Sequence, residues 1–268
     1  MDINKLFTAS KIIEEEGTDG IQTVIRLVGL KPAMALLITH LRRSFGSMNS
    51  FPADPHIYEK VKQILEQENL LTIDLFQGEH RWLSNFFPVQ VKYKGLIFST
   101  VEHAYQAAKA KDLTERELFG SFIETPADAK KFWTIEENKK YMMPKEEWEA
   151  IRISVMENLI AQKFALEGFD TDQPLLVNLL INTDPADIIE GNHWNDDFWG
   201  KVKKDGTWIG ENNLGKISMQ RRATLLELKQ KLSNCINEAP KKSNKEIAEH
   251  CGVTERHLFT MKIALEIK

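Results

Sequence analysis

The sequence predicts an α+β chain. Three observations carry that class: helical spacing of apolar residues over most of the length, strand character at Leu71 to Phe76 and Val89 to Phe98, and a capped helix start at Ser99-Thr100. In order, residues 1–45 read as helices. Leu6, Ile12 and Ile13 precede a break at Gly17 to Gly20. Ile21 to Val28 follows, and Pro32 opens a run that closes on Arg42-Arg43, where cations favour a helix C-terminus. Residues 46–55 hold Gly, Ser, Asn and two prolines and read as a linker, and Tyr58 to Asn69 reads as a short helix. The second strand has a turn at Lys94-Gly95.

Helices are expected at Glu115 to Phe122, Pro126 to Trp133, Pro144 to Ala165 and Leu175 to Ile181, and a strand at Ala186 to Glu190. Gly210 to Gly215 opens a helix through Leu232. Its first amides suit an anion such as phosphate, although a Gly-Asn turn needs none. Residues 233–242 read as a hinge. The last 26 residues read as helix-turn-helix, with Ile247, Ala248, Cys251, Gly252, Val253, Leu258 and Met261 at the packing positions. A plain helical hairpin fits that tail equally well.

Between the helix-forming signals lie three stretches poorly suited to plain packing. Glu102, Tyr105, Gln106 and Lys109 are spaced i, i+3, i+4, i+7 and share one helix face, with Ala between them. With Ser99 as cap, Glu102 completes a capping box. Trp82 to Pro88 sets Ser84 and Asn85 among aromatics, which suits a loop that stacks a ring and bonds its edge. Gly191 to Gly200 packs two Trp, two Asp and two Asn into eight residues, and buried carboxylates are costly unless partnered. That loop reads as a site wall.

The bulk numbers exclude several classes. The 268 residues, 42% hydrophobic and 28% charged, are ordinary for a globular chain, and a net charge of −4 gives no global pull to nucleic acid or anionic lipid. Two cysteines, Cys235 and Cys251, suggest neither a disulfide framework nor zinc, and fit a reducing cytoplasm. No apolar run reaches the ~18 residues of a membrane span. The seven histidines show no ligand spacing, so no metal or cofactor is expected. His103 reads as packed or hydrogen-bonded.

Taken together, Ser84-Asn85-Phe86, then Glu102-His103 with Gln106-Ala107 and Lys109, then Trp148, then Asn195-Asp196 with Trp199-Gly200 resemble the YbiA-like or NADAR family of N-glycosidases. Asn213-Leu214-Gly215 and Met219 continue the match, which covers about residues 72–232. The resemblance implies a compact YbiA-like domain, mostly helical around a small sheet. A helical extension (1–71) and a hinge with helix-turn-helix-like tail (233–268) lie outside it. Family members split the bond between ribose C1 and an exocyclic amine on a base-like ring. One branch acts on phosphoribosylamino-pyrimidine intermediates of riboflavin synthesis. Another removes ADP-ribose from guanine in DNA and includes antitoxins to ADP-ribosyltransferases of the DarT type. By position, Glu102, Trp148, Asp196 and Trp199 resemble the family's active-site residues, and Lys109 its helix-face lysine. After Trp199-Gly200 the family commonly continues with acid and glycines, whereas this chain has Lys201-Val202-Lys203-Lys204.

Cleaving a ribosyl–nitrogen bond builds positive charge on the sugar, as glycoside cleavage does. Glu102 is expected as general acid/base and Asp196 as stabiliser of the ribose cation, roles the two can exchange. Trp148 and Trp199 would stack on rings, and Asn85 would read polar edges. Tyr105, Gln106, Ser84, Phe86, Asn195, Gly200 and Asn213 complete the expected binding set. A covalent route would use an imine at Lys109. Lys109 lies about 10 Å along the helix from Glu102, whereas Lys163 lies about 22 Å from Trp148 and reads as a surface or distal contact. The expected ligand is ADP-ribosylated DNA or an ADP-ribose-like molecule, with an ADP-ribosyltransferase toxin and operator DNA at residues 243–268 as partners. The riboflavin intermediate is the second reading. A third is a regulator that binds ADP-ribose or NAD without cleaving it.

Overall fold

The computed structural model describes residues 3–28, 30–44, 63–64, 72–166, 173–238, 242–265 and 267. In chain order its elements are α1 (Ile3–Glu16), α2 (Ile21–Val28), α3 (Leu30–Ser44), β1 (Thr72–Ile73), β2 (Pro88–Tyr93), β3 (Leu96–Thr100), α4 (Val101–Ala107), α5 (Leu113–Ser121), α6 (Pro126–Phe132), α7 (Lys145–Lys163), α8 (Gln173–Ile181), β4 (Asp187–Ile188), β5 (Gly191–Asn192), β6 (Lys201–Lys204), β7 (Thr207–Ile209), α9 (Asn213–Glu238), α10 (Asn244–Cys251) and α11 (Glu255–Ala264). The class is α+β, as expected. The expected linker at 46–55 and the helix at Tyr58 to Asn69 lie outside the described residues, apart from helical positions 63–64.

The chain divides into two compact units, residues 1–73 with 181–188 and residues 74–180 with 189–268. In the first, α1, α2 and α3 pack on one another through Ala9, Ile13, Ile21, Val24, Ala33 and Leu37, all buried. The break expected at Gly17 is there: its φ is +62° and its N–H donates to Ile13 O, which closes α1. β1 pairs in parallel with β4. Strand structure at Leu71 to Phe76 is therefore confined, among the described residues, to Thr72–Ile73.

The second unit is built on the β2–β3 hairpin, turned at Lys94 (φ +45°) and Gly95 (φ +90°) as the sequence predicts. β3 runs straight into α4, which packs against β2, β3, α5, α6 and α7. Alanines 104, 107 and 108 are fully buried and let those elements close in, with Val91, Phe98, Phe119, Leu159 and Ile160 filling the interior. A small sheet of order β5-β6-β7 follows, parallel at β5/β6 and antiparallel at β6/β7. The helix expected to close at Leu232 continues to Glu238, so helix occupies most of the expected hinge. In the tail, a capping box of Ser243 and Glu246 starts α10, and Gly252 at φ +69° ends it. Ile247, Ala248, Leu258 and Met261 are buried where α10 meets α11.

Candidate active site

Of the two caps expected for the helix start that organises the site, the second is the one used. Thr100, extended at φ −148°, is the cap, and its hydroxyl accepts the His103 N–H. The strand carries its extended backbone one residue past Ser99, so Glu102 is not spent in a capping box. It lies in the first turn, 6% exposed, and faces a cavity. His103 Nδ1 lies 2.8 Å from Thr100 Oγ1 and Nε2 3.2 Å from Ile123 O, a carbonyl that only accepts, so Nε2 carries the proton. Burial lowers its pKa, and His103 works as a structural hydrogen-bonding group, as expected.

The cavity has a volume of about 280 Å³. Glu102, Tyr105, Gln106 and Lys109 line it together, as the helical spacing predicts, although α4 ends at Ala107. The turn beyond is pinned instead by neighbours. Trp133 Nε1 donates to Gln106 O at 3.0 Å, the Met143 N–H to Lys109 O at 2.9 Å, and Arg116 Nη2 to Ala110 O at 2.8 Å. The Lys109 ammonium consequently lies 5.3 Å from the Tyr105 ring centre and 5.7 Å from that of Trp148.

The two indoles hold Tyr105 between them. Trp148 meets its ring at 5.0 Å and Trp199 at 5.4 Å, both edge-to-face. Trp199 Nε1 donates to Tyr105 Oη at 3.1 Å. Asn85 reaches the same wall from the loop before β2. Its carbonyl accepts the Glu102 N–H at 3.0 Å, its Nδ2 points to Met156 Sδ at 3.6 Å, and its buried Oδ1 has no partner among the described residues.

Asp196 arrives from the loop between β5 and β6. The buried Asn192 side chain clamps it, with Nδ2 donating to Asp196 O at 2.7 Å and Oδ1 accepting its N–H at 3.0 Å. Asp196 Oδ1 in turn accepts the Trp199 N–H at 2.9 Å, which ties the carboxyl to the indole that shares its wall.

Burial dominates the electrostatics. It raises the Glu102 pKa, against opposing pulls from the Gln106 amide, Lys130 and Lys109, while Asp196 adds to the rise. Burial lowers Lys109 to about 8 and also raises Tyr105. The cavity thus combines a proton-retaining carboxyl with an amine that is partly neutral at mildly alkaline pH.

Five residues of the expected binding set do not line the cavity. Ser84 Oγ accepts the Phe86 N–H at 3.1 Å, so Ser84 and Phe86 shape the turn that carries Asn85. Asn195 is exposed at φ +64° and serves as a loop corner. A Cβ at Gly200 would stand 2.1 Å from Glu190 O, so that glycine permits a close backbone approach. Asn213 Nδ2 donates to Phe198 O at 2.9 Å and braces the wall from behind. The anion site considered at this helix start is likewise absent. The Asn212, Asn213 and Leu214 N–H groups donate to Gly200, Phe198 and Trp199 carbonyls, so the loop itself takes up the free amides.

Lys163 does not line the cavity, and it is not on the surface either. It is fully buried, and its Nζ donates to Leu83 O at 3.0 Å and Ser84 O at 2.7 Å.

The NADAR domain profile matches residues 75–226. The chain belongs to the NADAR family. It is similar to a riboflavin biosynthesis protein of Vibrio vulnificus (strain YJ016), 30% identical over 148 residues that make up 55% of this chain and 36% of that protein. It is also similar to N-glycosidase YbiA of Escherichia coli (strain K12), 26% identical over 167 residues, 62% of this chain and 94% of YbiA. The NMR structure of E. coli YbiA aligns with a TM-score of 0.47 at 27% identity, covering 59% of this chain and 88% of that one. Thus the chain spans about a third of the Vibrio relative and nearly all of YbiA.

Every cavity residue falls inside the NADAR segment, including five that sequence reasoning did not single out: Lys130, Arg152, Met156, Glu190 and Phe198. Arg152 lies over the Phe198 ring at 3.5 Å and Lys130 over that of Trp194 at 5.2 Å. Neither cation has a sequence signal, because each is one of many charges on a solvated helix. The Lys201 to Lys204 segment forms β6 and does not line the cavity.

Proposed function

We propose that this chain is an N-glycosidase that hydrolyses the bond between ribose C1 and an exocyclic base amine. One observation carries the reading. Glu102, a buried carboxyl held toward its protonated form, lines the same cavity as Asp196, which is fixed by Asn192 and Trp199. Such a pairing supplies a proton to the departing amine and negative charge to the sugar cation. Water then adds at C1 and leaves its proton on the carboxyl. Relatives named N-glycosidase support the same chemistry.

As substrate we favour ADP-ribosylated guanine in DNA, which would make the chain an antitoxin to a DarT-type ADP-ribosyltransferase. Lys130 and Arg152 on the cavity wall suit a phosphate-bearing ligand, and the paired helices of residues 243–264 suit operator DNA or toxin. The second reading, a phosphoribosylamino-pyrimidine, is favoured by the riboflavin biosynthesis name of the Vibrio relative. Incubation with an ADP-ribosylated guanine oligonucleotide and, separately, with the pyrimidine ribotide decides between them. Release of ADP-ribose from the first alone supports the DNA substrate, and turnover of the second alone assigns the metabolic one.

Lys109 offers the covalent alternative. Its amine attacks C1 of the ring-opened imine tautomer, the base amine leaves with the proton that Lys109 sheds, and water releases the sugar from the lysine imine.

A further inference from the structure

Glu190 is the carboxyl that the reading above leaves without a task. Its backbone is fixed from two sides: its N–H donates to Asn212 Oδ1 at 3.0 Å, and its carbonyl accepts the Lys201 N–H at 2.9 Å. The side chain lines the cavity, where its Oε2 is buried without a partner among the described residues. Gln106, only 4% exposed, lines the same cavity, and its Oε1 is likewise unpartnered. Buried polar atoms in native proteins are nearly all hydrogen-bonded, so unpartnered acceptors on residues that line one cavity point to a ligand that brings donors.

The charged groups acting on Glu190 are Asp196, Lys130 and Glu102, and Lys109 and Arg152 share the cavity walls. Burial first, and then the like charge of Asp196, push the Glu190 carboxyl up to about 8. At neutral pH it is therefore a carboxylic acid, with one donor and remaining acceptor capacity.

We propose that Glu190 and Asp196 form a subsite for the vicinal hydroxyls of ribose, with Glu190 in direct contact with the sugar. A cis-diol presents two O–H donors and oxygens that accept. An acid beside a carboxylate matches it with one donor and several acceptors. Two carboxylates would offer no donor and would repel each other. The subsite rests on the N-glycosidase reading and deepens it by assigning the group that discriminates the sugar: ribose is selected over 2-deoxyribose.

The test reads binding, so it is separable from turnover. Wild-type protein is titrated with ribose 5-phosphate and with 2-deoxyribose 5-phosphate by calorimetry at pH 6.5 and pH 9. Ribose 5-phosphate is expected to bind about 10-fold tighter or more at pH 6.5, the scale of one buried hydrogen-bonding group left unpaired. That preference should shrink at pH 9, where Glu190 has lost its donor. Glu190→Ala should abolish the preference. Glu190→Gln, which keeps a donor and an acceptor, should retain it at both pH values. Equal affinity of the wild type for both sugars, no binding of either, or a preference that survives in Glu190→Ala overturns the subsite. If the ribose preference holds but no base amine is released from either substrate, the N-glycosidase reading falls and the subsite stands. Turnover without a sugar preference removes the subsite and leaves the N-glycosidase reading in place.

Discussion

Gln106 Nε2 donates to Glu102 Oε1 at 2.7 Å across one turn of α4. The contact fixes the carboxyl's rotamer and opposes the burial that raises its pKa. In Gln106→Leu the donor is gone, so the Glu102 pKa should rise further. If Glu102 acts as the general acid, the alkaline limb of the kcat/KM profile moves to higher pH. A limb that stays in place or moves lower removes Glu102 from that role.

Glu102→Gln keeps shape and hydrogen bonding but cannot give up a proton. Loss of general acid catalysis lowers kcat by about 10²–10⁴-fold, while affinity for ADP-ribose stays near wild type. Single-turnover assays alongside calorimetry check both halves. Wild-type protein that binds ADP-ribose and cleaves no adduct would instead support a regulator.

The polar face of α4 was legible because helical spacing places Glu102, Tyr105 and Gln106 together, and the turn after the helix brings Lys109 into the same cavity. The cap was not, because Ser99 and Thr100 are both good caps, and only the extent of β3 selects the second. Glu190 gave no signal, since an acid at the end of an apolar run reads as a strand terminus. Its place at the site depends on Gly200 and Asn212, 10 and 22 residues along the chain, closing on its backbone. Lys163 shows the limit of distance arguments. Its remoteness from Trp148 was readable from helix rise, but the turn ending in Leu83 and Ser84 that covers it was not.

Trp199 separates stacking from bracing. Trp199→Phe keeps an aromatic face but loses the N–H that reaches Tyr105 Oη. Trp199→Ala loses both. If a base ring stacks there, Trp199→Ala weakens substrate binding by ~1–3 kcal/mol, and Trp199→Phe recovers most of it. Equal losses in the two variants would assign the effect to the Tyr105 contact. Calorimetry with ADP-ribose or the pyrimidine ribotide measures the difference.

The Lys109 amine, lowered to about 8, gains its neutral, nucleophilic form between pH 7 and pH 9. Borohydride reduction during turnover should leave a sugar adduct on Lys109, with a yield that rises over that interval, and Lys109→Met should leave none. Mass spectrometry of the digested protein locates the adduct. Intact turnover without any adduct assigns the reaction to direct hydrolysis by Glu102 and Asp196.

Lys163 links the fold's stability to pH. Burial lowers its pKa from 10.5 to about 7, so above neutrality the folded protein holds a neutral amine, whose two N–H groups serve Leu83 O and Ser84 O. Between pH 10.5 and about pH 7 the unfolded chain protonates this lysine and the folded protein does not, so falling pH favours unfolding. The Lys163 contribution is thus complete above pH 10.5 and is lost as pH falls through that window to the folded pKa. Lys163→Met keeps a comparable length and removes both donors, which costs about 1–3 kcal/mol for the Leu83 carbonyl left unpaired, whereas Ser84 O keeps the Phe87 N–H. It also removes the titration. The stability of wild type relative to Lys163→Met should therefore increase from pH 7 to pH 9.5 in urea unfolding. Because the turn that Lys163 holds also carries Asn85, Lys163→Met should raise KM more than it lowers kcat. A stability difference that is flat or falls with pH would mean that Lys163 keeps its charge in the folded protein.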